Sequence, residues 1–114
     1  MLKFRIGKAN FSYNFADANE VEKMELAFKA CAEAQKQIPS TEPVSVQIRY
    51  ICETVFNVFD TLFGEGASSR IFGKSCDMDA CMTALAQLTD ARARADAQTA
   101  EKIRGIGEKF MPAK

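Results

Sequence analysis

Apolar and polar positions change period twice along this 114-residue chain. Leu2-Lys3-Phe4-Arg5-Ile6 alternates with the two-residue period of a half-buried strand. Gly7-Lys8-Ala9-Asn10 supplies a turn, and Phe11-Ser12-Tyr13-Asn14-Phe15 alternates again. Together they predict a β-hairpin with Leu2, Phe4, Ile6, Phe11, Tyr13 and Phe15 on one face. A lone hairpin is marginal in water, so that face must be covered. Two covers stay open: the helices of the same chain, or a second subunit paired through an exposed edge.

From residue 17 the period becomes helical. Asp17 and Asn19 are good N-caps, and Glu20, Glu22 and Glu25 complement the positive end of a first helix. Val21, Met24, Phe28, Cys31 and Ile38 recur at three- and four-residue steps, with Gln35 filling the missing position and Pro39 ending the run. A second helix is expected from Ser40 or Thr41, with Glu42 and Pro43 in its first turn, to about Phe63. It carries two apolar rows: Val44, Ile48, Ile51, Val55, Val58 and Leu62, and beside it Cys52, Phe56, Phe59 and Phe63. The polar remainder is narrow, chiefly Arg49, Glu53, Asn57 and Asp60. Such a helix must be covered on two sides, so it is either the centre of a bundle or partly an interface.

After Gly64-Glu65-Gly66, residues Ala67 to Phe72 form one short helical turn closed by Gly73. Ser75 or Asp77 caps a third helix with Met78, Cys81, Leu85 and Leu88 as its buried row. Beyond Leu88 the apolar positions thin to Ala91, Ala93, Ala95, Ala97 and Ala100, interleaved with charges. High helix propensity with little to bury predicts a helix that leaves the body. Ile103, Ile106 and Phe110 then return at helical spacing, weakened by Gly105 and Gly107. A frayed tail or a contact with a neighbouring molecule would each fit. The fold class is thus mainly α: a hairpin (1–16), a helical body of three-helix type (17–88) and an Ala-rich helical arm (89–114), in a single domain.

Composition narrows the chemistry. Lys+Arg and Asp+Glu each number 15, so there is no cationic excess for phosphates, and nucleic acid is not an expected partner. Zero net charge removes a barrier to self-association, and a homo-oligomer is expected. The chain has no histidine, the commonest general base and zinc ligand. No run of apolar residues is long enough for a signal or a membrane span, which predicts a cytoplasmic chain that engages no membrane. Cys31, Cys52, Cys76 and Cys81 contain no C-x-x-C pair, and three of them fall on apolar rows, where a thiol acts as a small hydrophobe. No catalytic residue, cofactor or metal is expected.

Two segments come close to chemical motifs. Ser68 to Ser75 ends in the Gly-Lys-Ser of a phosphate-binding loop, but Ser68 replaces the first glycine and a helix rather than a strand precedes it. Glu53 and Asp60 are seven residues apart, roughly 10 Å along a helix, and read as a solvated polar strip. The aromatic segment from Phe56 to Gly73 instead has the character of a docking element. Phe56, Phe59, Phe63 and Phe72, with Ile103, Ile106 and Phe110, are the candidate interaction residues.

Phe59, Phe63, Gly64, Glu65, Gly66, Ile71, Phe72, Gly73 and Cys81 stand at the positions of an F-x-x-x-F-G-E-G-x-x-x-x-I-F-G signature followed by a cysteine-containing helix. With the hairpin and the acidic first helix, residues 1–90 resemble a family of small proteins of Gram-positive tailed phages and prophages. The resemblance implies a non-enzymatic tail assembly chaperone that binds the tape-measure protein. Its alternatives are a tail component assembled into an oligomeric ring, and a small regulatory binding module.

Overall fold

A computed structural model describes residues 1–110. Its elements run β1 (Leu2–Ile6), β2 (Ala9–Tyr13), α1 (Ala18–Gln35), α2 (Val44–Phe63), α3 (Ala67–Phe72) and α4 (Met78–Phe110). The mainly α class with an N-terminal hairpin and a long last helix is as the periodicity predicts.

The strands pair antiparallel with Leu2 opposite Tyr13, Phe4 opposite Phe11 and Ile6 opposite Ala9. The turn is therefore only Gly7-Lys8, shorter than the expected four residues, because Ala9 and Asn10 already pair with β1. Ala9 joins the covered face, and Phe15 is buried just beyond the strand. The hairpin is covered by its own chain: Phe63 of α2 lies 4.6 Å from the Phe11 ring, 5.6 Å from Tyr13 and 5.9 Å from Phe4, centre to centre. The Gln87 side chain of α4 accepts a hydrogen bond from the Gly7 amide at 3.0 Å, pinning the hairpin turn.

Asp17 caps α1 by accepting from the Asn19 and Glu20 amides. The helix stops at Gln35, and the Lys36 and Gln37 amides close its last turn by donating to the Glu33 and Ala34 carbonyls, ahead of Pro39. Met24, Ala27 and Cys31 are its buried positions, with Phe28 packed beside them. α2 starts at Val44 rather than at residue 40 or 41. Pro43 sits at its N-cap, so the proline lies outside the first turn instead of within it. Val44 is consequently exposed at the helix end, while Cys52, Val55, Val58, Phe59 and Leu62 are buried.

α1 and α2 run antiparallel and are stitched by polar bonds at one end. The Tyr50 hydroxyl donates to the Ala34 carbonyl at 2.8 Å. Gln35 Nε2 donates to Thr54 Oγ1 at 2.6 Å, and Thr54 in turn donates to the Ile51 carbonyl. Thr54 is buried with its hydroxyl both accepting and donating, which the apolar rows did not signal.

The Gly64-Glu65-Gly66 turn needs its glycines for backbone reasons alone. Gly64 has φ 99° and ψ 159°, and Gly66 is left-handed at φ 90°, both conformations that a Cβ disfavours. Asp60 is not the solvated acid expected. Its carboxylate accepts from the Ser68 amide at 2.8 Å and from the Ser68 hydroxyl at 3.0 Å, capping α3 across the turn. Asp77 does the same for α4 through the Asp79 and Ala80 amides.

α4 has 33 residues and is about 50 Å long by helix rise. Its buried row is Cys81, Ala84, Leu88, Ala91 and Ala95, so the body extends past residue 88. Ala91 and Ala95 are small enough to let α4 approach the body closely, and Arg92 clasps α1 from beside them. Its guanidinium lies 5.2 Å over the Phe28 ring and 4.0 Å from Glu25. The molecule measures 66 × 28 × 20 Å, with a radius of gyration of 17.1 Å against about 13 Å for a compact chain of this length.

Cys31, Cys52 and Cys81 are buried thiols, as the apolar rows predict. Burial, and then the neighbouring Cys76 and Cys81 thiols, push the Cys52 pKa well up from its ordinary 9.0. Burial also raises Cys81. Tyr13, buried and donating to the Glu20 carbonyl at 2.7 Å, is raised from 10.0 for the same leading reason.

Phe59 is fully buried against Phe63 and Phe72, so Phe59→Ala should cost about 3–5 kcal/mol in urea unfolding, and a loss under about 1 kcal/mol would contradict its central place. Cys52, Cys81 and Tyr13 hold their protons in the fold, whereas the unfolded chain loses them from about pH 9 upward. Stability should therefore be full below that pH and fall as pH rises above it. Unfolding curves at a series of alkaline pH values test this, and Cys52→Ala should flatten the fall.

Candidate interaction surface

The seven residues singled out from the sequence separate into two groups. Phe56, Phe59, Phe63 and Phe72 pack on the chain's own core. Phe59 has no exposed surface, and Phe56, Phe63 and Phe72 are half-buried. Phe56 and Phe72 stand 5.1 Å apart, Phe59 and Phe72 6.0 Å, and Phe59 and Phe63 6.2 Å. The reason is geometric. The glycine turn folds α3 back against α2, so that Phe72 covers one end of the aromatic row while the hairpin covers the other. Arg70 closes the edge, stacking 4.7 Å over Phe11 and donating to the Asn10 carbonyl. The second face of α2 is thus satisfied inside the chain.

Ile103, Ile106 and Phe110 are a different matter. They are 64%, 58% and 72% exposed on the last three turns of α4. Thr99 is the last half-buried position, and residues 100–110 are all exposed, roughly 16 Å of helix beyond the body. The arm is therefore shorter than the expected 89–114: it begins after Thr99, and residues 111–114 lie outside the described residues. Within it Arg104 and Glu101 form an ion pair one turn apart. The three large apolar side chains recur at i, i+3 and i+7, one row on one side of a helix.

The structure also has a second surface, one that the apolar rows do not mark. Between α1 and α2 lies a groove of about 340 Å³ lined by Leu26, Ala27, Ala30, Ala34, Asn57 and Val58, among others. Leu26 is 58% exposed at its rim. The only advance signal was a set of alanines, 27, 30 and 34, at helical spacing beside the larger apolar row. Alanine marks neither a core nor a surface, so the spacing alone carried no assignment. Among the described residues no helix is long and apolar enough to cross a membrane.

The glycines of the arm have open space around them and take ordinary backbone angles. Gly105→Ala and Gly107→Ala should each stabilise the arm by about 1 kcal/mol, seen as slower amide exchange over residues 100–110. Unchanged exchange would mean that something other than intrinsic propensity holds this segment.

The sequence pattern of a family of unknown function, DUF6673, matches residues 7–114. No curated protein and no solved structure matches the chain. The matched span takes in β2 and every helix described above, including the exposed arm. This chain belongs to the DUF6673 family of unknown function.

Proposed function

We propose that this protein is a non-enzymatic phage morphogenesis factor, a tail assembly chaperone that holds the tape-measure protein in the host cytoplasm. The observation that carries the reading is the row of Ile103, Ile106 and Phe110, held out from the body on a continuous helix. A holdase needs apolar surface available to a partner and kept apart from its own core, and the arm supplies it. Support also comes from the Phe59–Gly73 segment, whose residues carry the resemblance to proteins of tailed phages. That segment builds the body, so partner contact falls to the arm. A helix-in-groove mode, with large side chains one turn apart as anchors, is the recognition chemistry that such a row offers.

The second reading is a tail component that assembles into a ring and stays in the particle. The elongated shape favours it, since an arm at one end of a body suits contact from neighbour to neighbour.

Co-expression with a tailed-phage tape-measure protein is the direct test. The tape-measure protein should become soluble and co-purify with the wild-type chain. Substituting Ile103→Asp with Ile106→Asp should cut recovery at least roughly tenfold, because burying unpaired carboxylates is costly. A tape measure equally insoluble with and without the chain would sink the proposal. Mass spectrometry of purified particles separates the two readings: a chaperone is missing from the finished particle, and a ring component is present in stoichiometric amount.

A further inference from the structure

We propose that Cys52 and Cys76 form a reversible disulfide, and that Cys76 is the thiol which a small organic disulfide meets first. Cys31 lines the α1–α2 groove beside Thr54 and Val58, on a different face of α2 from Cys52. The other three cysteines come from three places in the chain: Cys52 from α2, Cys76 from the segment between α3 and α4, and Cys81 from α4. α2 brackets the point where they meet. Ile48, one turn before Cys52, lines a surface depression with residues 75–79. Phe56, one turn after Cys52, stands 5.1 Å from Phe72. Cys52 therefore faces the stretch that carries Cys76, and its thiol is hydrogen-bonded with those of Cys76 and Cys81.

Exposure and backbone freedom assign the roles. Cys52 and Cys81 have no exposed surface, whereas Cys76 is half-buried and opens on the depression, about 360 Å³ in volume. A reagent in water thus reaches Cys76 before the other two. Cys81 is fixed in the first turn of α4, its amide donating to the Asp77 carbonyl at 3.0 Å. Cys76 stands in Ser75–Asp77, which has no regular structure. A disulfide demands a set Cα separation and torsion, and an irregular stretch adjusts to them more readily than a helix does. The bridge to Cys52 accordingly falls to Cys76.

In the first step the Cys76 sulfur gives up its proton and attacks one sulfur of the small disulfide. A new S–S bond forms, the reagent's own S–S bond breaks, and one small thiol leaves with a proton. The Cys52 sulfur then gives up its proton and attacks the Cys76 sulfur of the mixed disulfide, and the second small thiol leaves. Two protein thiols are oxidised and one reagent disulfide is reduced to two thiols. Burial holds Cys52 in its protonated form, so it does not react with reagents in water. Its place beside Cys76 offsets that low reactivity in the second step. The bridge fastens the start of α4 to α2, so the oxidised fold is the more stable one.

Asp77 and Asp79 at the depression favour a cationic reagent, and cystamine is the probe. Reduced wild-type protein is treated with it at about pH 8 without denaturant, and the remaining thiols are alkylated and mapped by mass spectrometry. The expected product is a single chain with a Cys52–Cys76 bridge and with Cys31 and Cys81 alkylated, returned to four thiols by dithiothreitol. Its thermal midpoint should lie at least about 5 °C above that of the reduced protein. Cys52→Ala should stop at the mixed disulfide and keep one cysteamine on Cys76. Cys76→Ser, outside the helices and the fully buried core, should fold and should lose the Cys52 thiol at least roughly tenfold more slowly. A Cys52–Cys81 bridge overturns the proposal, and so does a dimer joined through Cys76. A wild type that keeps cysteamine on Cys76 with Cys52 still free overturns it too, as do thiols that react only in urea.

Discussion

The contact of Phe63 with the hairpin is the interaction on which the rest of the structure depends. A two-stranded sheet of five-residue strands does not hold together unaided in water. Phe63 sits at the end of α2 and meets Phe4, Phe11 and Tyr13 together, so one side chain joins the covered face of the hairpin to the helical body. Phe59, one turn earlier, is buried beneath it and carries the same aromatic row on to Phe72. The glycine turn follows at once. Its positive φ angles reverse the chain and bring α3 back over Phe56 and Phe59, and the Asp60 carboxylate fixes that reversal by capping Ser68.

α4 performs two tasks with different composition in each half. Cys81, Leu88, Ala91 and Ala95 bury its first part, and the alanines allow close approach where larger side chains would hold the helix away. Arg92 secures the end of that contact through Glu25 and the Phe28 ring. Past Thr99 nothing opposes the helix, yet three large apolar residues remain on it. Local helix propensity and the rigidity of the packed half carry them into solvent together. The body is closed upon its own aromatic core, and the arm is left apolar in solvent.

Much of this was legible beforehand. The period-two residues marked both strands, the three-and-four spacing marked α1, α2 and α4, and Asp17, Gly64, Gly66 and Gly73 marked the ends and turns. The misreadings share a cause. The hairpin turn and the start of α2 depend on which backbone groups find partners, and residue type alone does not state that. Asp60 and Thr54 were read as surface or passed over, because a polar residue on an amphipathic helix shows its partner only when another element arrives. The α1–α2 groove lay hidden for a related reason: alanines at helical spacing fit a tight contact and an empty one equally well.

The amino-acid sequence by itself determined the elements and the apolar identity of their faces, the Ile103–Phe110 row included, since each follows from local period and propensity. It also determined that α2 has more apolar surface than one neighbour covers. Only the tertiary structure decided what covers it. Phe56, Phe59, Phe63 and Phe72 turned inward because a hairpin distant in sequence and a helix folded back by two glycines reach them first, and contacts within a chain form without the entropy lost in bringing two molecules together. The same constraint left the arm outside: a straight helix longer than its body has an end that the body does not cover.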